Sequence, residues 1–177
     1  MKIALFGGSF NPPHNGHVAV AKALADSGDF DQVWVLPSYS HPFGKVFLPF
    51  EERFRLCELA FGPLAPRVRV DPTEKQRGEA TGYTIDTVRY LRQRHPEDEF
   101  FLVMGSDLFG EVDRWKDYEE LKKLVSIYPV ARAGYEESRF PKVASSEIRE
   151  RIRQGGEWRS LLPEKVGEYI RKKGLYS

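Results

Sequence analysis

The sequence lacks most of the features that mark an extracellular, membrane-spanning or nucleic-acid-binding chain. Its 177 residues include one cysteine, Cys57, so no internal disulfide can form. A lone thiol inside an apolar helical stretch is expected to be buried and inert, as suits a reducing compartment. An excess of charge of one sign is also missing: 27 Lys and Arg against 26 Asp and Glu leave a formal charge of +1. This balance predicts neither nucleic acid nor a membrane surface as partner, and it confines any anion-binding site to a few groups in one cleft. No apolar run approaches the roughly 20 residues a membrane-spanning helix requires. Met1 runs directly into an apolar segment, so no signal peptide is expected and the chain reads as soluble and cytoplasmic. Internal repeats, low-complexity tracts and linkers are absent. The length predicts one domain, residues 1–177, with a sizeable core. The dinucleotide fingerprint Gly-x-Gly-x-x-Gly is missing after the first apolar run, which weighs against an ordinary dehydrogenase.

What is present is a regular alternation of short apolar runs and amphipathic stretches. Lys2–Phe6, Gln32–Leu36, Val68–Val70 and Phe100–Met104 read as strands. Val125–Ala131, broken by Pro129, reads as a last and peripheral strand. Helical spacing covers Val18–Ala25 (closed by Ser27-Gly28), Glu51–Ala60, Thr84–Arg94, Tyr118–Leu124, Glu147–Arg153 and Glu164–Lys172. Ser38–Pro49 has no clear period, and loops of that length are commonly functional or disordered. Strands alternating with helices predict an α/β fold, a Rossmann-like doubly wound parallel sheet covered on both faces. Its ligand crevice is expected at the carboxyl ends of the strands, near the first.

Three segments carry chemistry. Residues 7 to 17 read Gly-Gly-Ser-Phe-Asn-Pro-Pro-His-Asn-Gly-His, between the first strand and the first helix. One account is a stiff turn whose Asn15 caps the helix. The other is an anion site, in which backbone N–H groups, the positive helix end and the imidazoles of His14 and His17 face phosphate oxygens. An i, i+3 histidine pair is also half of a metal site, but no second histidine or cysteine cluster completes it. The second segment is Val143–Arg153, with Ser145 or Ser146 able to cap a helix and Arg149 able to grip phosphate through two parallel hydrogen bonds. A capped surface helix with a basic face is its plainer reading. The third, Gly105-Ser106-Asp107, ends a strand; Asp107 either caps a helix or binds ribose hydroxyls. Eight residues on, Trp115 stands among charges and either covers core or offers a face to an aromatic ring.

The first segment resembles the His-x-Gly-His signature of the nucleotidyltransferase superfamily, in the form found in bacterial nicotinate-nucleotide adenylyltransferases. Ser145-Ser146-Glu147-Ile148-Arg149 is similar to the second signature, Ile-Ser-Ser-Thr-x-Ile-Arg. Gly82-Tyr83-Thr84, Gly105-Ser106-Asp107, Trp115 and the closing Tyr169-Ile170 to Leu175-Tyr176 match that family in order and spacing. The resemblance thus covers nearly the whole chain. Departures are Ala144 where the family carries serine, a shifted His41–Lys45 segment after the second strand, and a short stretch between Arg132 and Val143.

The resemblance implies adenylyl transfer from Mg-ATP to nicotinate mononucleotide, giving deamido-NAD and pyrophosphate in NAD biosynthesis. It implies His14, His17 and Arg149 as catalytic residues, with His17 nearest the transferring phosphate. Gly7, Gly8, Ser9, the Phe10 amide, Gly105, Asp107, Ser145 and Ser146 would bind ATP. Lys45, Tyr83, Thr84 and Trp115 would bind the acceptor, with Trp115 stacked on the pyridine ring and Thr84 receiving its carboxylate. Magnesium would travel with ATP and need no dedicated protein cage. The partners are then ATP and a pyridine mononucleotide, with no nucleic acid and no membrane; oligomeric state is not legible. Other acceptors (nicotinamide mononucleotide first) and a non-catalytic nucleotide-binding module are the alternatives.

Overall fold

The first strand sets the architecture. Ile3 and Leu5 alternate with Ala4 and Phe6, and the two sets enter separate apolar clusters on opposite sides of the sheet. A strand buried on both faces needs helices above and below it, which is the situation of a parallel sheet. The protein, described from a computed structural model, has that form over residues 1–40, 47–78, 82–106, 110, 112–130 and 140–177.

Five strands, β1 (Lys2–Gly8), β2 (Gln32–Pro37), β3 (Val68–Val70), β4 (Glu99–Gly105) and β5 (Ser126–Val130), form one sheet in the order β3-β2-β1-β4-β5. Every strand pair in it is parallel. The helices are α1 (Asn15–Asp26), α2 (Phe50–Phe61), α3 (Thr73–Gln76), α4 (Thr84–Arg94), α5 (Tyr118–Leu124), α6 (Ser145–Arg153) and α7 (Glu164–Lys173). Ala21 and Leu24 of α1, Leu56 and Cys57 of α2, Ile148 of α6 and Ile170 of α7 cover one face together with Ala4, Val33 and Val35. Ile85, Val88 and Leu91 of α4 and Leu121 of α5 cover the other, over Leu5, Trp34 and Leu102. The strand order reverses at β1, so a crevice opens beyond the carboxyl ends of β1 and β4. The Rossmann-like sheet and its topological switch are therefore as the sequence predicts.

Several boundaries differ, each for a local reason. Helix α1 begins at Asn15 rather than Val18, because His14 is its N-cap. Asn15 is not the cap: its amide donates to the Ser160 carbonyl at 2.9 Å. Helix α6 begins at Ser145 with Ala144 as N-cap and no side-chain cap, so neither serine caps it. The short α3 has no signature a periodicity search can find in four residues. β5 is an edge strand, the position in which Pro129 is tolerated. Cys57 is buried as expected, and burial pushes its thiol well above the usual range, away from the reactive thiolate. Among the described residues no helix is long and apolar enough to cross a membrane.

Candidate active site

The loop after β1 is built around two stacked imidazoles. The His14 N-cap is extended (φ −139°, ψ 173°), and its Nδ1 accepts from the His17 amide at 3.3 Å. In return His17 Nδ1 accepts from the His14 amide, also at 3.3 Å. This is a capping box made from two histidines, where Ser or Thr with Glu is the usual pair. The rings stack with centroids 3.7 Å apart and 25° between planes. Because each Nδ1 accepts a backbone N–H, the neutral ring carries its proton on Nε2, so both imidazoles are fixed as Nε2–H donors. Phe10, buried in the core at φ +45°, packs edge-on against His17 at 4.9 Å and holds its ring in place.

Two glycines sit in tight space here. A Cβ on Gly8 would lie 3.2 Å from the Phe10 ring, and one on Gly16 would lie 3.1 Å from both the His14 ring and the Pro141 carbonyl. The predicted motif thus encodes contact as well as chemistry.

The second signature lies directly against the first. Ser145 Oγ donates to the Pro12 carbonyl at 2.8 Å, and Arg149 Nη1 donates to the Asn11 carbonyl at 2.7 Å. These bonds span 133 and 138 positions of chain. They bring the start of α6, with its unsatisfied N–H groups, beside the positive end of α1. Ser146 is exposed on the same turn.

Across Gly7 and Gly8 a cavity of about 130 Å³ opens at the ends of β1, β2 and β4. Thr84 and Trp115, two of the residues expected on the acceptor side, line it together with Gly82, Glu74 and Thr87. Tyr83 is the N-cap residue of α4, and the Lys116 ammonium sits 4.7 Å from the centre of its ring. Trp115 is anchored by its neighbours: Lys116 pairs with Asp86 at 3.6 Å and Asp117 with Arg89 at 3.1 Å, which joins this turn to α4. Gly105 ends β4. Asp107 and Lys45, like His41, lie outside the described residues.

Four contributors were given no role from the sequence. Arg53 of α2 is 1% exposed and donates to main-chain carbonyls of Ser9 and Ser38. Its sequence signal is a charged residue on the apolar stripe Phe50, Arg53, Cys57, Ala60. Asn11 accepts through Oδ1 from the Tyr176 hydroxyl at 2.9 Å and from the Leu48 amide at 3.4 Å. Burial pushes the Tyr176 phenol above its ordinary value, opposed by the nearby Arg149 and Arg53 charges. Buried Glu74 accepts from the Thr87 hydroxyl. No local pattern links Asn11 to Tyr176, 165 positions away.

The two signature segments meet at the switch point of a parallel sheet, and residues 5–151 match the cytidylyltransferase-like family model, which makes the chain a nucleotidyltransferase. The chain is 32% identical to the nicotinate-nucleotide adenylyltransferase of Bacillus subtilis, over 99% of this chain and 98% of that protein. It is 39% identical to a protein of Anaeromyxobacter dehalogenans named probable nicotinate-nucleotide adenylyltransferase, over 99% of this chain and 96% of that one. The chain belongs to the nicotinate-nucleotide adenylyltransferase family. Its fold is also that of the Plasmodium falciparum nicotinic acid mononucleotide adenylyltransferase complexed with NaAD, with a TM-score of 0.80 at 19% identity, covering 99% of this chain and 97% of that one.

Proposed function

We propose that this protein transfers the adenylyl group of Mg-ATP to nicotinate mononucleotide, forming deamido-NAD and releasing pyrophosphate. The observation that carries the reading is the meeting of the two signature segments, with Ser145 and Arg149 bonded to the Pro12 and Asn11 carbonyls beside the His14–His17 pair. The acceptor's 5′-phosphate oxygen attacks the α-phosphorus of ATP. A new P–O bond forms as the bond to the bridging oxygen breaks, and the leaving pyrophosphate takes that electron pair. No proton transfer to or from carbon is involved, so the protein's contribution is alignment and stabilisation of phosphoryl charge. Holding two nucleotides in line accounts for roughly 7–11 kcal/mol of a barrier of this kind.

In this reading His17 and His14 donate Nε2–H to the α- and β-phosphate oxygens. Gly7, Gly8, Ser9 and the Phe10 amide border the phosphates at the end of β1, and Gly105 with Asp107 takes the adenosine ribose or a water of the magnesium ion. Ser145, Ser146 and Arg149 hold the β- and γ-phosphates and then pyrophosphate. The donors gathered in the cleft are imidazole, guanidinium, hydroxyl and amide groups, which suit phosphate oxygens rather than a cation. Among the described residues no group of three His, Cys, Asp or Glu side chains gathers to hold a metal. In this reading magnesium travels with ATP as part of the substrate, held by phosphates and water.

On the acceptor side, Tyr83, Thr84 and Trp115 take the pyridine ring and its carboxylate, and the role assigned to Lys45 is the acceptor phosphate. Trp115→Ala is expected to raise the KM of the mononucleotide roughly tenfold, the worth of a lost stacking contact, while the KM of ATP moves by less than about threefold. Equal changes in both constants would remove the stacking role.

The function itself is tested by pyrophosphate release from Mg-ATP with nicotinate mononucleotide and, in parallel, nicotinamide mononucleotide. A preference of about tenfold or more for the nicotinate form is expected, equivalent to about 1.4 kcal/mol of transition-state discrimination. Equal rates would make the enzyme one of dual specificity, and no release with either would overturn the proposal.

A further inference from the structure

Arg53 is an unusual core residue. It is 1% exposed, and among the described residues no carboxylate lies within ion-pair distance of it. A buried charge without a counter-ion is costly, so its donors must be satisfied another way. They are met by main-chain carbonyls on three separate segments. Nε donates to Leu48 O at 2.9 Å, Nη1 to Ser9 O at 2.9 Å, and Nη2 to Ser38 O at 2.6 Å, with Tyr39 O at 3.4 Å. The rings of Phe47 and Phe50 lie 5.0 and 5.8 Å from its central carbon, and the more distant Glu51 carboxylate favours the charge as well.

This bonding pattern orients two peptide groups. In a trans peptide the carbonyl and the following N–H point in opposite directions. The Ser9–Phe10 and Ser38–Tyr39 peptides are trans. With the carbonyls of Ser9 and Ser38 drawn inward to the guanidinium, the N–H groups of Phe10 and Tyr39 point away from it. Neither N–H has a hydrogen-bond partner among the described residues. Ser38 also donates its own amide to Gly8 O at 2.9 Å, so the two turns are joined side by side at the ends of β1 and β2. Behind these outward N–H groups stands a positive charge that no carboxylate among the described residues meets at ion-pair distance.

We propose that Arg53 is a positioning residue for substrate phosphate: it turns the Phe10 and Tyr39 N–H groups toward the cleft and backs them with a charge that the phosphate itself compensates. The inference rests on the adenylyl-transfer reading of the site. Lysine at position 53 keeps the charge but presents it as a single point, which cannot bridge three divergent carbonyls. Arg53→Lys should remain folded, with the far-UV spectrum of the wild type, and lose about 10- to 100-fold in kcat/KM for Mg-ATP, the scale of a misaligned phosphate donor. The KM of nicotinate mononucleotide should change by less than about threefold.

A residue that merely fills the core would behave differently. Its replacement would lower the unfolding temperature and leave kcat/KM of the folded protein as it was, and that result overturns the proposal, as does an equal rise in both KM values. Nitrogen-15 resonances of the Arg53 guanidinium provide a readout on the wild type that does not depend on the variant folding. They should shift when Mg-ATP is added and stay unmoved with nicotinate mononucleotide alone; no shift with Mg-ATP overturns the proposal. If the wild type releases no pyrophosphate with any pyridine mononucleotide, the adenylyl-transfer reading fails by itself. The Arg53 proposal is then decided by Mg-ATP affinity, measured calorimetrically, which should still fall at least tenfold in Arg53→Lys, and an unchanged affinity overturns it.

Discussion

Replacing His17 with alanine is expected to lower kcat by about 10²- to 10³-fold, the usual consequence of removing one preorganised donor from a developing oxyanion. The structure adds a complication, because His17 is also half of the capping box of α1. Alanine there removes the acceptor for the His14 amide as well as the Nε2–H, and loss of a cap costs about 0.5–2 kcal/mol of stability. His17→Gln separates the two effects. Glutamine is a natural third residue of a capping box and can accept the same backbone N–H, but it cannot place an imidazole Nε2–H over the phosphate. The glutamine variant should therefore melt close to the wild type and still lose most of its turnover. Thermal unfolding and pyrophosphate release, measured on the same preparations, check this. Near-normal turnover in either variant would take His17 out of the chemistry and leave it as a cap.

Arg149→Ala is expected to reduce kcat/KM for Mg-ATP by a similar factor, about 10²–10³. It should also weaken inhibition by pyrophosphate, because in the proposed mechanism the guanidinium holds the leaving group. The structure shows a second task for the same side chain. Its Nη1 reaches the Asn11 carbonyl and so joins α6 to the loop that carries both histidines. Lysine should recover less than tenfold of the loss, since an ammonium offers no planar fork for bonding phosphate and carbonyl together. Steady-state kinetics with pyrophosphate as product inhibitor measure both effects. If pyrophosphate binds the alanine variant as tightly as the wild type, Arg149 holds the loop and not the leaving group.

Much of this site was legible before folding was considered. Gly7 to His17 lies within one turn between a strand and a helix, so the backbone, the imidazoles and the helix end are neighbours by covalent distance alone. Ser145 to Arg149 is likewise a local constellation on one helical turn. Its role as a helix cap was misread because Ser145 uses its hydroxyl on Pro12, a partner that only tertiary packing supplies. Asn15 was misread for a related reason: histidine is a rare N-cap, and the reciprocal bond that makes His14 effective depends on His17 being oriented by Phe10. Arg53 was visible as a charge on an apolar stripe, yet nothing nearby in sequence could say which carbonyls it would meet.

By itself the sequence determined the class of fold and the family. Hydrophobic alternation is a local property read directly by the backbone, and the two signatures are each complete within a helical turn or a tight loop. Tertiary structure alone decided how those pieces face one another. The parallel sheet carries Ser145 and Arg149 across more than a hundred residues to the Asn11–Pro12 carbonyls. It brings Trp115 and Thr84 to the cavity beside Gly7 and Gly8, and it encloses Arg53 beneath the Ser9 and Ser38 turns. Those contacts depend on the register and crossover order of five strands. They arise only when the whole core closes, and no stretch of the chain encodes them alone.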